Sequence, residues 1–140
     1  MTQEKFDKIV EERIQKIQTT LVEKGKGYVR NGNKMHNFDV GASITGHSRE
    51  KVLYGFMLKH LISFQDMVND IEAGDLPTEE YVDEKIGDII CYAILAEASI
   101  KDKLKNKERD ERSFEDAKAY ALFMEIPNAI DKMYTQHTTE

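Results

Sequence analysis

The stretch from Ile86 to Ala96 constrains the fold more than any other part of the chain, because nearly all of it is apolar. Within it only Gly87 and Asp88 are neither apolar nor aromatic, so a helix formed here has no side that is suited to water. A helix that is apolar all round is typical of the middle of a helix bundle. We therefore predict that residues 86–95 form an almost wholly buried helix around which the other helices pack.

The composition favours an all-α fold. The 140 residues include only two prolines, 40% are hydrophobic and 33% are charged, which is typical of a globular domain. No segment shows the alternating pattern of a strand, whereas apolar residues recur at helical spacing over long stretches. We predict a bundle of four principal helices with short accessory helices, forming one domain over residues 1–134, and a disordered tail over residues 135–140.

Capping and breaking residues predict where the helices begin and end. Four principal helices and two accessory segments are expected: Gln3 to Lys24, stopped by Gly25 and Gly27; a short helix from Met35 to near Gly46; a helix capped by Ser48 and ending at Ala73 before Gly74; one from Thr78 to about Lys105; one capped by Ser113 and ending near Glu125; and a further turn that Pro127 opens.

Two pairs of acidic residues share the spacing that stacks side chains on one helix face. Asp66 and Asp70 lie near the end of the third helix, and Glu84 and Asp88 lie near the start of the fourth. A connection as short as Gly74–Pro77 predicts antiparallel helices, so the four carboxylates could converge on Mg²⁺ or Mn²⁺, which prefer oxygen ligands. Alternatively both pairs face solvent, and the dipole at a helix N-terminus favours Glu84 and Asp88.

The segment Lys24–Lys34 combines three glycines with four basic residues and Tyr28. A loop of this kind can hold phosphates with backbone N–H groups and cationic side chains. It lacks the Gly-Lys-Ser/Thr ending of a P-loop, and an ordinary surface turn is the alternative. The residues that follow, His36 and Asn37, could brace this loop or face a ligand.

The charge and the cysteine count exclude some classes of function. A net charge of −6 makes the protein a poor binder of nucleic-acid backbones, and the interleaved charges of residues 101–112 predict a solvated helix end or connector. No apolar run is as long as a membrane span. The single cysteine, Cys91, fits a reducing compartment, so we expect a cytoplasmic protein, in the host cytoplasm if a phage encodes it.

Helix three, the hairpin and the run Glu84-Lys-Ile-Gly-Asp-Ile-Ile-Cys-Tyr92 resemble the MazG-like, all-α nucleoside triphosphate pyrophosphohydrolase superfamily. More narrowly, residues 20–100 resemble small phage and prophage proteins related to nucleotide-modification-associated domains. The family carries Glu-Glu-x-x-Glu on one helix and Glu-x-x-Asp on the next. This chain has Lys85 at the first acid of the second motif and lacks the first motif, so that Asp66, Asp70 and His60 would have to serve instead.

The resemblance implies metal-dependent nucleotide binding and pyrophosphohydrolysis in a homo-oligomer of paired bundles, to which helix one would contribute. It implies catalytic roles for Asp66, Glu84 and Asp88, which with Asp70 would hold Mg²⁺ or Mn²⁺. The residues expected to bind the nucleotide are Lys24, Lys26, Tyr28, Arg30, His36, Asn37, Phe38, Lys59 and His60. The alternative, which Lys85 favours, is a non-catalytic phage accessory or inhibitor protein that binds a host protein or a signalling nucleotide.

Overall fold

A computed structural model describes the backbone of residues 1–136 and the side chains of residues 1–122. The described residues form helices and contain no strand, which confirms the predicted all-α class. The elements are α1 (Gln3–Gln18), a π-helical turn (Thr19–Glu23), a 3₁₀ turn (Lys24–Tyr28), α2 (His36–Thr45), α3 (Arg49–Ala73) and α4 (Glu79–Gln136).

Most helix ends lie where the capping residues predict them. The hydroxyl of Thr2 accepts a hydrogen bond from the Lys5 N–H at the start of α1, and the hydroxyl of Ser48 accepts one from Lys51 at the start of α3. At the end of α3, Gly74 has a φ of 99°, a left-handed conformation that glycine adopts without steric cost. These local signals are strong because each satisfies a backbone group that the helix leaves unpaired.

The end of helix one differs from the prediction, because helical turns continue through Gly25 and Gly27 instead of ending before them. Instead α1 passes into the π turn and the 3₁₀ turn, which includes both glycines. A Cβ on Gly25 would collide with the Lys34 amine, which donates to the Leu21 carbonyl at 2.8 Å. Gly25 is therefore needed for close approach of Lys34 rather than for a helix stop.

Helix four also differs from the prediction, because it continues past Lys105 and through Ser113, which was expected to cap a separate helix. The charged run of residues 101–112 contains neither glycine nor proline and is rich in lysine, arginine and glutamate, which are good helix formers. Lys107 and Glu111 also form an i,i+4 ion pair at 3.6 Å, which adds a small stabilisation to a helix.

The last predicted segments of the chain lie within α4 or outside the described residues. α4 includes Pro127, which was expected to open a separate turn, and residues 135 and 136 of the predicted tail. Residues 137–140 of that tail lie outside the described residues.

Helices α3 and α4 are antiparallel between residues 49 and 99, as the short connection predicts. Three pairs of side chains show this arrangement, because from one pair to the next the residue number on α3 rises while that on α4 falls. The Ser99 hydroxyl donates to Glu50 at 2.9 Å, and the rings of Phe56 and Tyr92 stack with their centroids 6.1 Å apart. In the third pair, His60 Nδ1 lies 3.2 Å from Asp88 Oδ2.

The prediction that residues 86–95 are almost wholly buried is wrong for the single chain. Of these residues only Cys91 is buried, and 39% of Ile94 is exposed. The helices of one chain cover α4 only in part: α3 packs against one of its faces, and Arg13 of α1 reaches another. Among the described residues, Leu53 and Met67 are the other two buried hydrophobic residues.

Internal contacts divide the chain into two compact units, residues 1–100 and 101–140. The single domain predicted for residues 1–134 stays a prediction. Every site residue discussed below belongs to the first unit. No described helix combines the length and the apolar character that crossing a membrane requires.

Candidate functional site

Arg13 of α1 binds the backbone and a side chain of α4 at one point. Its guanidinium donates to the Asp83 carbonyl at 3.0 Å and to the Asp83 carboxylate at 2.6 Å. A Cβ on Gly87 would lie 2.5 Å from Arg13 Nη1, so glycine leaves the space that the guanidinium occupies. Lys16 also binds the Asp83 carboxylate, and this hydrogen bond, followed by the charges of Lys16 and Arg13, lowers the pKa of Asp83.

Beside this contact lies a pocket of about 470 Å³, here called the charged pocket. Basic side chains from residues 13–24 and acidic side chains from α4 line this pocket. The lining residues are Arg13, Lys16, Lys24, Glu80, Asp83, Glu84 and Asp88, with Ile17, Thr20, Gly87 and Cys91. Asp83 is held by Arg13 and Lys16, and Glu84 is held by Lys85 at 2.6 Å. Within the described part of the chain, Lys24 has no ion-pair partner and is open to an anion.

A second pocket, of about 400 Å³ and here called the aromatic pocket, lies next to the first. Four aromatic rings line it, together with polar groups from four segments: Tyr28, Phe38, Phe56, Tyr92, Thr20, Lys34, Asn37 and Asp88, with Leu21, Gly25, Cys91 and Leu95. The Phe38 ring meets the Phe56 ring edge-on at 6.0 Å, and Phe56 stacks on Tyr92. Aromatic walls with a few polar groups are typical of pockets that bind planar organic ligands.

Asp88 lines both pockets, and so do Thr20 and Cys91. Behind Asp88 lies His60, which is only 5% exposed and stacks on Tyr92 at 5.5 Å. Burial lowers the pKa of His60, although the charge of Asp88 acts in the opposite direction. The imidazole is therefore mainly neutral at pH 7 and fixes one side of the Asp88 carboxylate.

Cys91 is poorly suited to act as a nucleophile at the junction of the two pockets. Burial raises the pKa of its thiol, and the nearby charge of Asp88 raises it further. The thiol is therefore protonated at neutral pH, whereas the thiolate is the reactive form of cysteine. The junction thus offers a carboxylate, a threonine hydroxyl and an inert thiol rather than covalent chemistry.

The four carboxylates expected to hold a metal do not come together in this chain. In the described residues, no group of three or more His, Cys, Asp or Glu side chains could hold a metal ion. The helix register explains this, because His60 rather than Asp66 is level with Asp88. At 1.5 Å per residue, Asp66 lies about 9 Å further along α3 and Asp70 about 15 Å further, and both are exposed. This donor set does not fit a divalent metal.

The structure brings some of the predicted ligand-binding residues together and leaves others apart. Tyr28, Asn37 and Phe38 line the aromatic pocket, Lys24 lines the charged pocket, and His60 supports Asp88 from behind. The remaining predicted residues line neither pocket: Lys26, which pairs with Glu23 at 3.0 Å, Arg30, which bonds the Val29 carbonyl, the exposed Lys59, and His36.

Several residues that line the two pockets were not among the site residues predicted from the sequence. Arg13, Lys16, Thr20 and Lys24 follow one another at intervals of three or four residues, the spacing that places side chains on one helix face. That stripe was a usable signal for Arg13, Lys16 and Thr20. Phe56 and Tyr92 were indistinguishable from core residues, because aromatic side chains at helical spacing serve both purposes.

No family model, curated protein or solved structure matches this chain. The resemblance to the MazG-like superfamily therefore stays a prediction, and the candidate site rests on its own geometry.

Proposed function

We propose that this protein binds a nucleotide, with the base in the aromatic pocket and the phosphates in the charged pocket. The observation that carries this proposal is the junction of the two pockets at Thr20, Asp88 and Cys91. An aromatic cavity that opens beside basic side chains matches the two halves of a nucleotide, a planar base and an anion. Volumes of about 400 and 470 Å³ are within the usual range for small-molecule sites.

The aromatic pocket suits a nucleobase because its walls are flat and already packed against each other. The Tyr92 ring stacks with the rings of His60 and Phe56, so it loses little freedom when a ligand stacks nearby. Stacking of a base on an aromatic side chain contributes on the order of 1–3 kcal/mol. Tyr28 is 62% exposed at the pocket, where a ligand would cover it.

Phosphate binding depends first on Lys24 in this arrangement. Arg13 and Lys16 already neutralise Asp83, so a phosphate would share these two cations with a carboxylate. Lys24, in contrast, pairs with no carboxylate among the described residues. Because the pocket also contains Glu80, Glu84 and Asp88, we expect moderate affinity that weakens with salt.

Hydrolysis of the nucleotide is the further step that the sequence resemblance implies, and Mg²⁺ would be its cofactor. The geometry supports binding more directly than hydrolysis, because Lys85 pairs with Glu84 and no group of three or more acidic, His or Cys side chains among the described residues could hold a metal ion. We therefore propose binding as the function. The alternative of a non-catalytic protein that binds a signalling nucleotide is consistent with the same site.

Isothermal titration with nucleoside mono- and triphosphates, with and without Mg²⁺ or Mn²⁺, tests this proposal, and chromatography of the same samples detects any hydrolysis. The matched variants are Lys24→Gln and Lys26→Gln, since Lys26 is two residues away, exposed and paired with Glu23. We expect the first to weaken binding and the second to leave it near that of the parent. Absence of binding to every nucleotide, or an equal loss in both variants, would contradict the proposal.

A further inference from the structure

The carboxylate of Asp88 lines the aromatic pocket, and its two oxygens differ in their surroundings. Its Oδ2 lies 3.2 Å from His60 Nδ1. In the part of the chain that the structure describes, no N–H or O–H group donates to Oδ1, and 37% of the side chain is exposed. An ionised carboxylate only accepts hydrogen bonds. A ligand that contacts Asp88 in this pocket is therefore favoured when it presents N–H groups, because a carbonyl oxygen there would be repelled.

The base edges differ in what they would present to this carboxylate. Guanine has two adjacent donors, the ring N1–H and the 2-amino group. Adenine and cytosine each place an amino group beside a ring nitrogen that accepts, and uracil and thymine flank their single N–H with two carbonyl oxygens. Among these bases, only guanine presents two adjacent N–H donors that one carboxylate can accept together.

A second polar group in the pocket, the Asn37 side-chain amide, complements the 6-carbonyl oxygen of guanine. Asn37 lines the same pocket, and its side-chain amide has both donors and an acceptor. It can therefore donate to the guanine 6-carbonyl oxygen while Asp88 accepts from the two N–H groups. The aromatic row of Phe38, Phe56 and Tyr92 supplies stacking surface that does not distinguish the bases.

We propose that the aromatic pocket selects guanine, through donation from the base N1–H and 2-amino groups to Asp88. This inference rests on the proposed function, since it names the base that the nucleotide carries. It gives Asp88 a role in recognition rather than in holding a metal, and it gives His60 a positioning role behind it.

Competition among purine monophosphates on the parent protein tests this selection without any mutation. GMP is compared with IMP, which lacks only the 2-amino group, and with XMP, which has a carbonyl in its place. We expect GMP to bind about ten- to a hundredfold more tightly than IMP, the usual effect of one hydrogen bond to a charged group. XMP should bind most weakly of the three.

The variant Asp88→Asn should change the order of these affinities rather than lower them all. Its amide can donate to the XMP 2-carbonyl, so XMP should gain on GMP by tenfold or more. Circular dichroism checks that the variant folds, and if it does not, the comparison on the parent decides. Equal affinity of the parent for GMP, IMP and XMP overturns the guanine inference and leaves nucleotide binding intact. No binding of any nucleotide overturns both.

Discussion

Gly87 of α4 lies beside the Arg13 guanidinium of α1, and replacing it with alanine has a measurable consequence. Alanine normally stabilises a helix interior by about 1 kcal/mol relative to glycine. At Gly87 the added Cβ would meet Arg13 Nη1 at 2.5 Å, whereas at Gly55 of α3 nothing lies within 4 Å. We expect Gly55→Ala to raise the free energy of unfolding and Gly87→Ala to give a smaller gain or a loss.

Urea unfolding of the two variants measures this difference. The Gly87→Ala side chain displaces the flexible end of Arg13, so the guanidinium has to give up one or both of its bonds to Asp83. If both alanine variants were stabilised equally, the contact between Arg13 and Asp83 would contribute nothing to the fold.

The depressed pKa of Asp83 predicts how the stability of the fold changes as the pH falls. The hydrogen bond from Lys16, together with the charges of Lys16 and Arg13, keeps the folded-state pKa of Asp83 below its ordinary value of 3.8. A depressed pKa stabilises the folded state above the unfolded-state pKa, and this contribution is lost as the pH falls through the folded-state pKa. We expect stability to fall below about pH 4, and Asp83→Asn to reduce that dependence.

A second carboxylate, Asp39, also contributes to this acid response and supplies the comparison. Burial opposes its ionisation, but hydrogen bonds from Asn33 and Arg49 outweigh it and lower the pKa of Asp39. Asp83→Asn should therefore leave a residual acid dependence that Asp39 carries. Urea midpoints measured between pH 7 and 3 that are unchanged by Asp83→Asn would show that its ion pairs do not stabilise the fold.

At the scale of helices, α3 carries two of the three buried hydrophobic residues among those described, Leu53 and Met67. Leu53 is 1% exposed, whereas Leu58 on the same helix is 39% exposed. Replacing a fully buried leucine with alanine costs about 2–5 kcal/mol, because it removes packing and leaves a cavity. We expect Leu53→Ala to cost an amount in this range and Leu58→Ala to cost much less, as measured by chemical unfolding. Similar losses would show that Leu58 is covered in solution.

The sequence predicts α2 and α3 well, because their ends are set by residues that act locally, such as Ser48 and Gly74. It predicts the end of α4 poorly, since the charged run before Ser113 is compatible with both a connector and a continuous helix. The expected convergence of the four carboxylates depended on packing between helices. Spacing along one helix places Asp66 and Asp70 on a face, but only the packing of α3 on α4 decides that His60 is level with Asp88.

At the scale of the whole molecule, a large apolar surface remains exposed in one chain. A groove of about 450 Å³ between α1 and α4, here called the α1–α4 groove, is lined by six apolar residues, Ile9, Val10, Ile14, Val82, Ile86 and Ile90, and by the charged residues Glu12, Arg13, Lys16, Glu79 and Asp83. Ile9 is 50% and Ile14 58% exposed. Exposed apolar patches of this kind mark interaction surfaces, so the predicted homo-oligomer would have an interface here.

Light scattering of the parent and of Ile14→Glu tests the homo-oligomer. The control is Ile44→Glu, because Ile44 is 79% exposed and does not line the groove. We expect the parent and the control to have at least twice the 16.2 kDa mass of one chain, and Ile14→Glu to shift toward one chain. A parent that stays at one chain mass across a wide concentration range would rule out the assembly.

Nucleotide binding at the junction of the two pockets is the central claim, and backbone amide NMR during a titration with GMP locates the ligand most directly. We expect the largest shift changes at Thr20, Asn37, Asp88, Cys91 and Tyr92, which line the pockets. Resonances of residues far along α3, such as Met67 and Asp70, should move little. A spectrum unchanged at millimolar GMP, or changes confined to the α1–α4 groove, would contradict the claim.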